Sequence, residues 1–124
     1  MKALLLCLLL PLVDVDGWKI EDHEAELVQY TNEYRAQHRK PPLKVSQSLM
    51  GTARLQSWYM TSRGMKHGFT RGWSAENIAQ GQPSPRAVVN TWINSSGHRA
   101  NMLGNWRTIG VGGYHTSWTQ QFGH

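Results

Sequence analysis

Apolar positions recur at helical spacing through the first part of the chain and at alternate positions near its end. From Glu21 to Arg39, Leu27, Thr31, Tyr34 and His38 fall at steps of four and three, with Tyr30 alongside, which predicts a helix. Acids at its start (Glu21, Asp22, Glu24) and bases at its end (Arg35, His38, Arg39, Lys40) suit the helix dipole, and Pro41-Pro42 stops it. Leu43 and Val45 lead into a second helix, capped by Ser46 or Ser48 and running to about Arg63. Its inner stripe is Leu49, Ala53, Gln56 and Met60, with Leu55 and Tyr59 beside it, and Gly64 ends it.

The periodicity vanishes from Met65 to Gly72, a loop that contains His67. Ala75 to Ala79 predicts a short strand and Gly81 to Pro83 a turn. Ser84 as cap and Pro85 as first helical residue open a third helix, which continues through Val88, Val89 and Trp92 to about Asn94. Ser95-Ser96-Gly97 breaks it, and His98 to Leu103 forms a further turn or two. Thr108 to Tyr114 and Ser117 to Phe122 alternate as strands and pair as an antiparallel hairpin. Helices come first and strands last. The class is therefore α+β, a small antiparallel sheet with helices packed on it, in a single domain.

The amino terminus changes the picture of where this domain works. Met1-Lys2 and an apolar run from Ala3 to Val13 have the layout of a secretory signal peptide and are too short to span a membrane. Val15 and Gly17 are small enough for a cleavage site before Trp18, which gives a signal peptide at residues 1–17 and a domain at residues 18–124. The location expected is secreted, either extracellular or periplasmic, with no transmembrane segment. Cleavage would remove the single cysteine, Cys7, so the domain is expected to be held by its core, or by a metal or partner, rather than by disulfides.

Cleavage also takes one of the 13 basic residues (Lys2) and two of the eight acids (Asp14, Asp16), leaving 12 against 6 and a formal charge of +6. That balance favours anionic partners such as acidic lipids or cell-envelope polymers. No basic run or nucleic-acid-binding motif accompanies it, so specific nucleic-acid binding is not expected.

Glu76 is the only acid after Glu33, in a stretch that carries Arg63, Lys66, Arg71, Arg86, Arg99 and Arg107. It either pairs with an arginine at the surface, which contributes little, or serves as a pocket carboxylate, with His67 before it in sequence and His98 after it. Two imidazoles and a carboxylate can hold a divalent ion such as zinc and leave a position for water, or they can relay protons. His98 follows a helix start, where the dipole disfavours the imidazolium and keeps the ring neutral. No G-x-S-x-G is present and the domain lacks a cysteine, so covalent catalysis has no nucleophile motif behind it.

An ordered set of pieces runs along the chain: Asn32-Glu33-Tyr34-Arg35, Pro42-Leu43, His67, Ala75-Glu76-Asn77-Ile78-Ala79, Ser84-Pro85, Val88 to Trp92, Gly97 to Met102, Ile109-Gly110-Val111-Gly112 and Trp118-Thr119-Gln120. In this the sequence resembles the CAP superfamily (cysteine-rich secretory proteins, antigen 5 and pathogenesis-related 1), also called SCP domains, and is most similar to its short, cysteine-free bacterial branch. The resemblance implies an α-β-α sandwich with a central cleft. In many members that cleft carries two His and two Glu, and the His pair can bind a divalent cation, often zinc. His67 matches the first His, Glu76 the Glu of the E-N motif and His98 the second His. Ser95 stands where the second Glu belongs, so the tetrad becomes a triad.

Members have been linked to sterol and fatty-acid binding, to cell-wall association and occasionally to proteolysis. The reading that results is a secreted binding module more than an enzyme. Its cleft, with Asn77, Ser95 and Arg99 as ligand contacts and zinc on His67 and His98, would take a lipid, a sterol or an anionic cell-envelope ligand. The runner-up is a metal-dependent hydrolase in which Glu76 activates a water as the catalytic residue. A third reading makes the triad a purely structural hydrogen-bond network.

Overall fold

The computed structural model describes residues 19–124, so the expected signal peptide, residues 1–17, lies outside the described residues. The element order is α1 (Asp22–Gln37), β1 (Lys44–Val45), α2 (Gln47–Arg63), β2 (Ala75–Gln80), α3 (Pro85–Ile93), α4 (Ser96–Met102), β3 (Thr108–Tyr114) and β4 (Ser117–Gly123). Local chemistry sets the helix starts. Ser46 Oγ accepts the Leu49 N–H at 3.1 Å ahead of α2, and Ser84 Oγ accepts the Ala87 N–H at 3.1 Å ahead of α3. Gly64 closes α2 at φ 86°, a conformation that residues with a Cβ rarely adopt.

The four strands lie in the order β1-β3-β4-β2. Three of them are antiparallel, as the alternation predicts, but β1 pairs parallel with β3 through Lys44↔Thr108 and Val45↔Ile109, which makes the sheet mixed. This short edge strand follows the Pro41-Pro42 stop, too brief for any period to register. Helix α2 covers one face of the sheet, while α1, α3 and α4 cover the other. The fold is an α-β-α sandwich.

The two faces are built differently. On the α1 side, Ile109, Val111, Trp118 and Phe122 meet Leu27, Val88, Val89, Trp92 and Met102 in the apolar core, with Trp92 fully buried. On the α2 side, β3 presents glycine. A Cβ at Gly110 would overlap the Leu49 carbonyl, and one at Gly112 would come within 2.5 Å of the Ala53 oxygen, so the α2 backbone lies directly on the strand. Where β4 passes under the same helix the contacts are hydroxyl and amide groups: Ser57 with Thr119 at 2.7 Å, Thr61 with Ser117 at 3.1 Å and Thr52 with Gln121 at 2.6 Å.

Polar burial also shapes α1. Its inner face carries Glu24 and Arg35 beside Leu27, Val28 and Thr31, whereas His38 of the predicted stripe is exposed. Arg35 is almost completely buried and donates to the carbonyls of Pro41, Met102 and Gly104 at 3.0, 2.8 and 2.8 Å, tying α1 to the end of α4; burial lowers its pKa. Glu24 forms a two-point ion pair with Arg54 of α2, with both oxygens at 2.7 Å.

Strand β2 is a sheet edge, and side chains cover its outer carbonyls. Trp92 Nε1–H donates to the Ile78 oxygen at 3.1 Å and Asn101 Nδ2–H to the Glu76 oxygen at 3.3 Å.

Candidate functional site

The edge strand β2 is where the two faces of the sheet meet the loops, and the sequence-predicted residues gather there from both layers. Side chains alternate along a strand, so Glu76 points to the α2 face and Asn77 to the opposite one. Each sits beside a glutamine of β4: the register pairs Glu76 with Gln121 and Asn77 with Gln120. The consecutive amides Gln120 and Gln121 thus reach opposite faces and hold opposite halves of the site.

On the α2 face, Glu76 has a fully buried side chain, while His67 on the loop after α2 is 54% exposed. His67 Nδ1 lies 2.7 Å from Glu76 Oε1, and Gln121 Nε2–H donates to Glu76 Oε2 at 2.7 Å. Gln121 also donates to Thr70 Oγ1 at 3.0 Å and accepts from Thr52 Oγ1–H. Gln56 Oε1 accepts the Thr70 N–H at 3.1 Å, and Gln56 Nε2–H donates to the Lys66 carbonyl, which fastens the His67 loop to α2 on both sides of the histidine. The surface arginine pair is not the geometry found for Glu76; its partners are an imidazole and an amide.

On the other face, Asn77 is completely buried. Its Nδ2 donates to the His98 carbonyl at 3.0 Å and to Gln120 Oε1 at 2.8 Å, and its Oδ1 accepts from Asn101 at 2.9 Å. Gln120 in turn donates to Thr31 Oγ1 of α1 at 3.0 Å. Asn77 therefore fixes the backbone of α4 from beneath. His98 Nδ1 lies 2.9 Å from Ser95 Oγ, so the serine standing at the second-Glu position contacts the second histidine. Burial, and secondarily the nearby His67, hold the His98 pKa below its ordinary value of 6.5. Arg99 points elsewhere, and its Nη1–H donates to the Ile93 carbonyl at the end of α3, at 2.9 Å.

With Glu76 as a carboxylate, Oε1 can only accept, so His67 donates through Nδ1, and the tautomer that does so carries its lone pair at Nε2. His98 has the same pattern when Ser95 accepts from its Nδ1. By donor type, two imidazoles each held at Nδ1 suit a divalent ion. Glu76 does not join them as a third ligand, since both its oxygens are engaged, and among the described residues no three His, Cys, Asp or Glu side chains form a metal-holding group. The donor set fits an ion carried by two imidazoles and completed by water or by a ligand.

Residues 28–122 match the CAP family, the cysteine-rich secretory proteins. The chain belongs to the CAP family. The Bacillus subtilis protein YkwD is 34% identical to this CAP chain over 122 residues, covering 83% of it and 48% of YkwD. An extracellular SCP-domain protein of Bacillus anthracis superposes with TM-score 0.75 at 27% identity, covering 81% of this chain and 39% of that one. An outer surface protein of Borrelia burgdorferi has TM-score 0.68 at 19% identity, covering 83% of this chain and 95% of its own, which shows a shared fold. This chain spans about half the length of YkwD.

Gln121, Gln120, Gln56, Thr70 and Asn101 complete the CAP site; Gln121 and Thr70 are unmarked in the sequence, Gln56 appears there only as a stripe position, and Gln120 and Asn101 only as members of the motifs that carry the resemblance. A signal for two of them exists in retrospect: adjacent glutamines in a strand, beside Trp118 and Phe122, place one polar side chain on each face of a buried sheet.

Proposed function

We propose that this CAP domain is an exported binding module. Its cleft carries a divalent ion, zinc by preference, on His67 and His98 and takes a lipid, a sterol or an anionic cell-envelope ligand. The observation that carries this reading is the 2.7 Å contact between half-exposed His67 and wholly buried Glu76. A carboxylate placed behind an imidazole orients the ring and makes it more basic toward an ion. A carboxylate meant to activate a water needs an oxygen turned to that water, and here the second oxygen is held by Gln121. The arrangement therefore supports binding more than turnover. Zinc, when held, would polarise or anchor an anionic headgroup; His67 and His98 present it, and Glu76 and Ser95 fix their rings.

The runner-up hydrolase requires Glu76 to exchange Gln121 for a water. Calorimetric titration of metal-depleted protein with zinc, beside a His67→Ala/His98→Ala variant, tests the first reading. Saturable binding that the variant loses is the expected result. Binding that survives in the variant, or is absent from both proteins, would overturn it.

A further inference from the structure

The outward side of α2 and the loop that follows it expose an apolar surface beside the cleft. Leu55, Trp58, Met65 and Phe69 are 46, 53, 59 and 41% exposed. Leu55, Trp58 and Tyr59 are neighbours on the side of the helix turned away from its buried stripe. Phe69 stacks on Tyr59 with ring centroids 3.8 Å apart and an interplanar angle of 15°, so the loop is laid against the helix as part of the same surface. An isolated exposed apolar side chain is ordinary, but Leu55 and Trp58 a turn apart, beside the Tyr59–Phe69 stack, are not isolated.

Charge identifies the occupant. Arg63 lies over the Tyr59 ring, 5.6 Å from its centroid, Lys66 and Arg71 flank Phe69 in sequence on the same loop, and no acid lies between Glu33 and the buried Glu76. The remaining acids of the described residues belong to α1 or its cap, and the two that reach α2, Glu24 and Glu21, act on Arg54, with Glu24 held in the ion pair. Aromatic and aliphatic side chains accompanied by cations are the composition of an interfacial membrane surface, where apolar groups enter the headgroup boundary and cations meet anionic lipid. A sugar polymer would use the aromatic faces but gain little from Leu55 and Met65. The outer side of a helix is also convex, suited to a plane rather than to gripping a strand.

We propose that α2 and the His67 loop dock this domain on an anionic lipid bilayer, which sets the cleft at the membrane surface. This rests on no assumption about what the cleft holds. The test uses the full chain with Cys7→Ser and a single environment-sensitive dye, either at Ser62→Cys on the outer side of α2 or at exposed Asn90→Cys on α3. A dye at a defined place reports this surface and not the apolar amino terminus. With vesicles of equal parts phosphatidylcholine and phosphatidylglycerol, the Ser62 dye should shift to the blue and the Asn90 dye should not. The shift should fade with salt and be absent with pure phosphatidylcholine. Lys66→Glu/Arg71→Glu should lower the vesicle partition about tenfold or more. An unshifted Ser62 dye, equal shifts at both positions, or retention by an anionic polysaccharide with no response to vesicles would overturn the proposal.

Discussion

Glu76 and Gln121 face one another across the antiparallel β2–β4 register, and the amide of one donates to the carboxylate of the other at 2.7 Å. The hairpin register itself thus sets the orientation of the acid. Gln121→Met preserves volume but leaves Glu76 Oε2 buried without its donor, removes the donor to Thr70 Oγ1, and leaves Thr52 only the Leu49 carbonyl as acceptor. Urea unfolding should show a loss of about 3 kcal/mol, the usual scale for an abandoned buried charged group. A loss under about 0.5 kcal/mol would mean that the carboxylate finds another donor at no cost.

Glu76→Gln tests whether the acid orients His67 or activates a water. As an orienting group, its loss should weaken zinc binding about 10- to 100-fold, the range seen for outer-shell partners of ligating histidines. Undiminished zinc affinity together with loss of a hydrolytic activity would instead support the hydrolase.

His98 should titrate below 6.5, mainly because it is buried and secondarily because of His67. A base with a depressed folded pKa is protonated first in the unfolded chain. Its contribution to stability is therefore full above 6.5 and is lost as pH falls through the window beneath it. Ring-proton NMR of wild type and His67→Gln checks this. The His98 midpoint should rise in the variant without reaching 6.5, because burial persists. An unmoved midpoint would show that the two rings do not sense one another.

Gly112→Ala should cost about 3 kcal/mol, since the new methyl meets the α2 backbone and no side chain can swing aside. Thermal unfolding measures it. Gly51→Ala, where a Cβ meets nothing within 4 Å, is the matched control and should leave stability unchanged or raise it.

The elements are largely legible in the sequence because their determinants are local. Ser46, Ser84-Pro85 and Gly64 mark ends by backbone chemistry, and β3 and β4 alternate with period two. What period cannot supply is partnership. Arg35 reads as a cation at a helix end, yet the nearby Pro41 carbonyl and two distant ones, of Met102 and Gly104, draw it into the interior. Gln56 counts as part of a stripe but works as a clamp on the His67 loop. At the site, His67, Glu76 and His98 stand out by residue type. The sequence points to Asn77 and Arg99 as ligand contacts, and the structure adds hydrogen bonds by which they hold the His98 and Ile93 carbonyls. Such roles depend on which chain segments meet in space.

The side-chain cover over β2 has a consequence for recognition. A peptide that joins a sheet does so by supplying a new strand to free backbone groups at an edge. Here the indole of Trp92 and the amide of Asn101 already occupy the Ile78 and Glu76 carbonyls. An incoming strand would have to displace two donors, one of them part of a completely buried tryptophan. That seal guards the β2 edge against edge-to-edge aggregation, and it means that a protein partner meeting this edge is recognised through side chains rather than by strand addition.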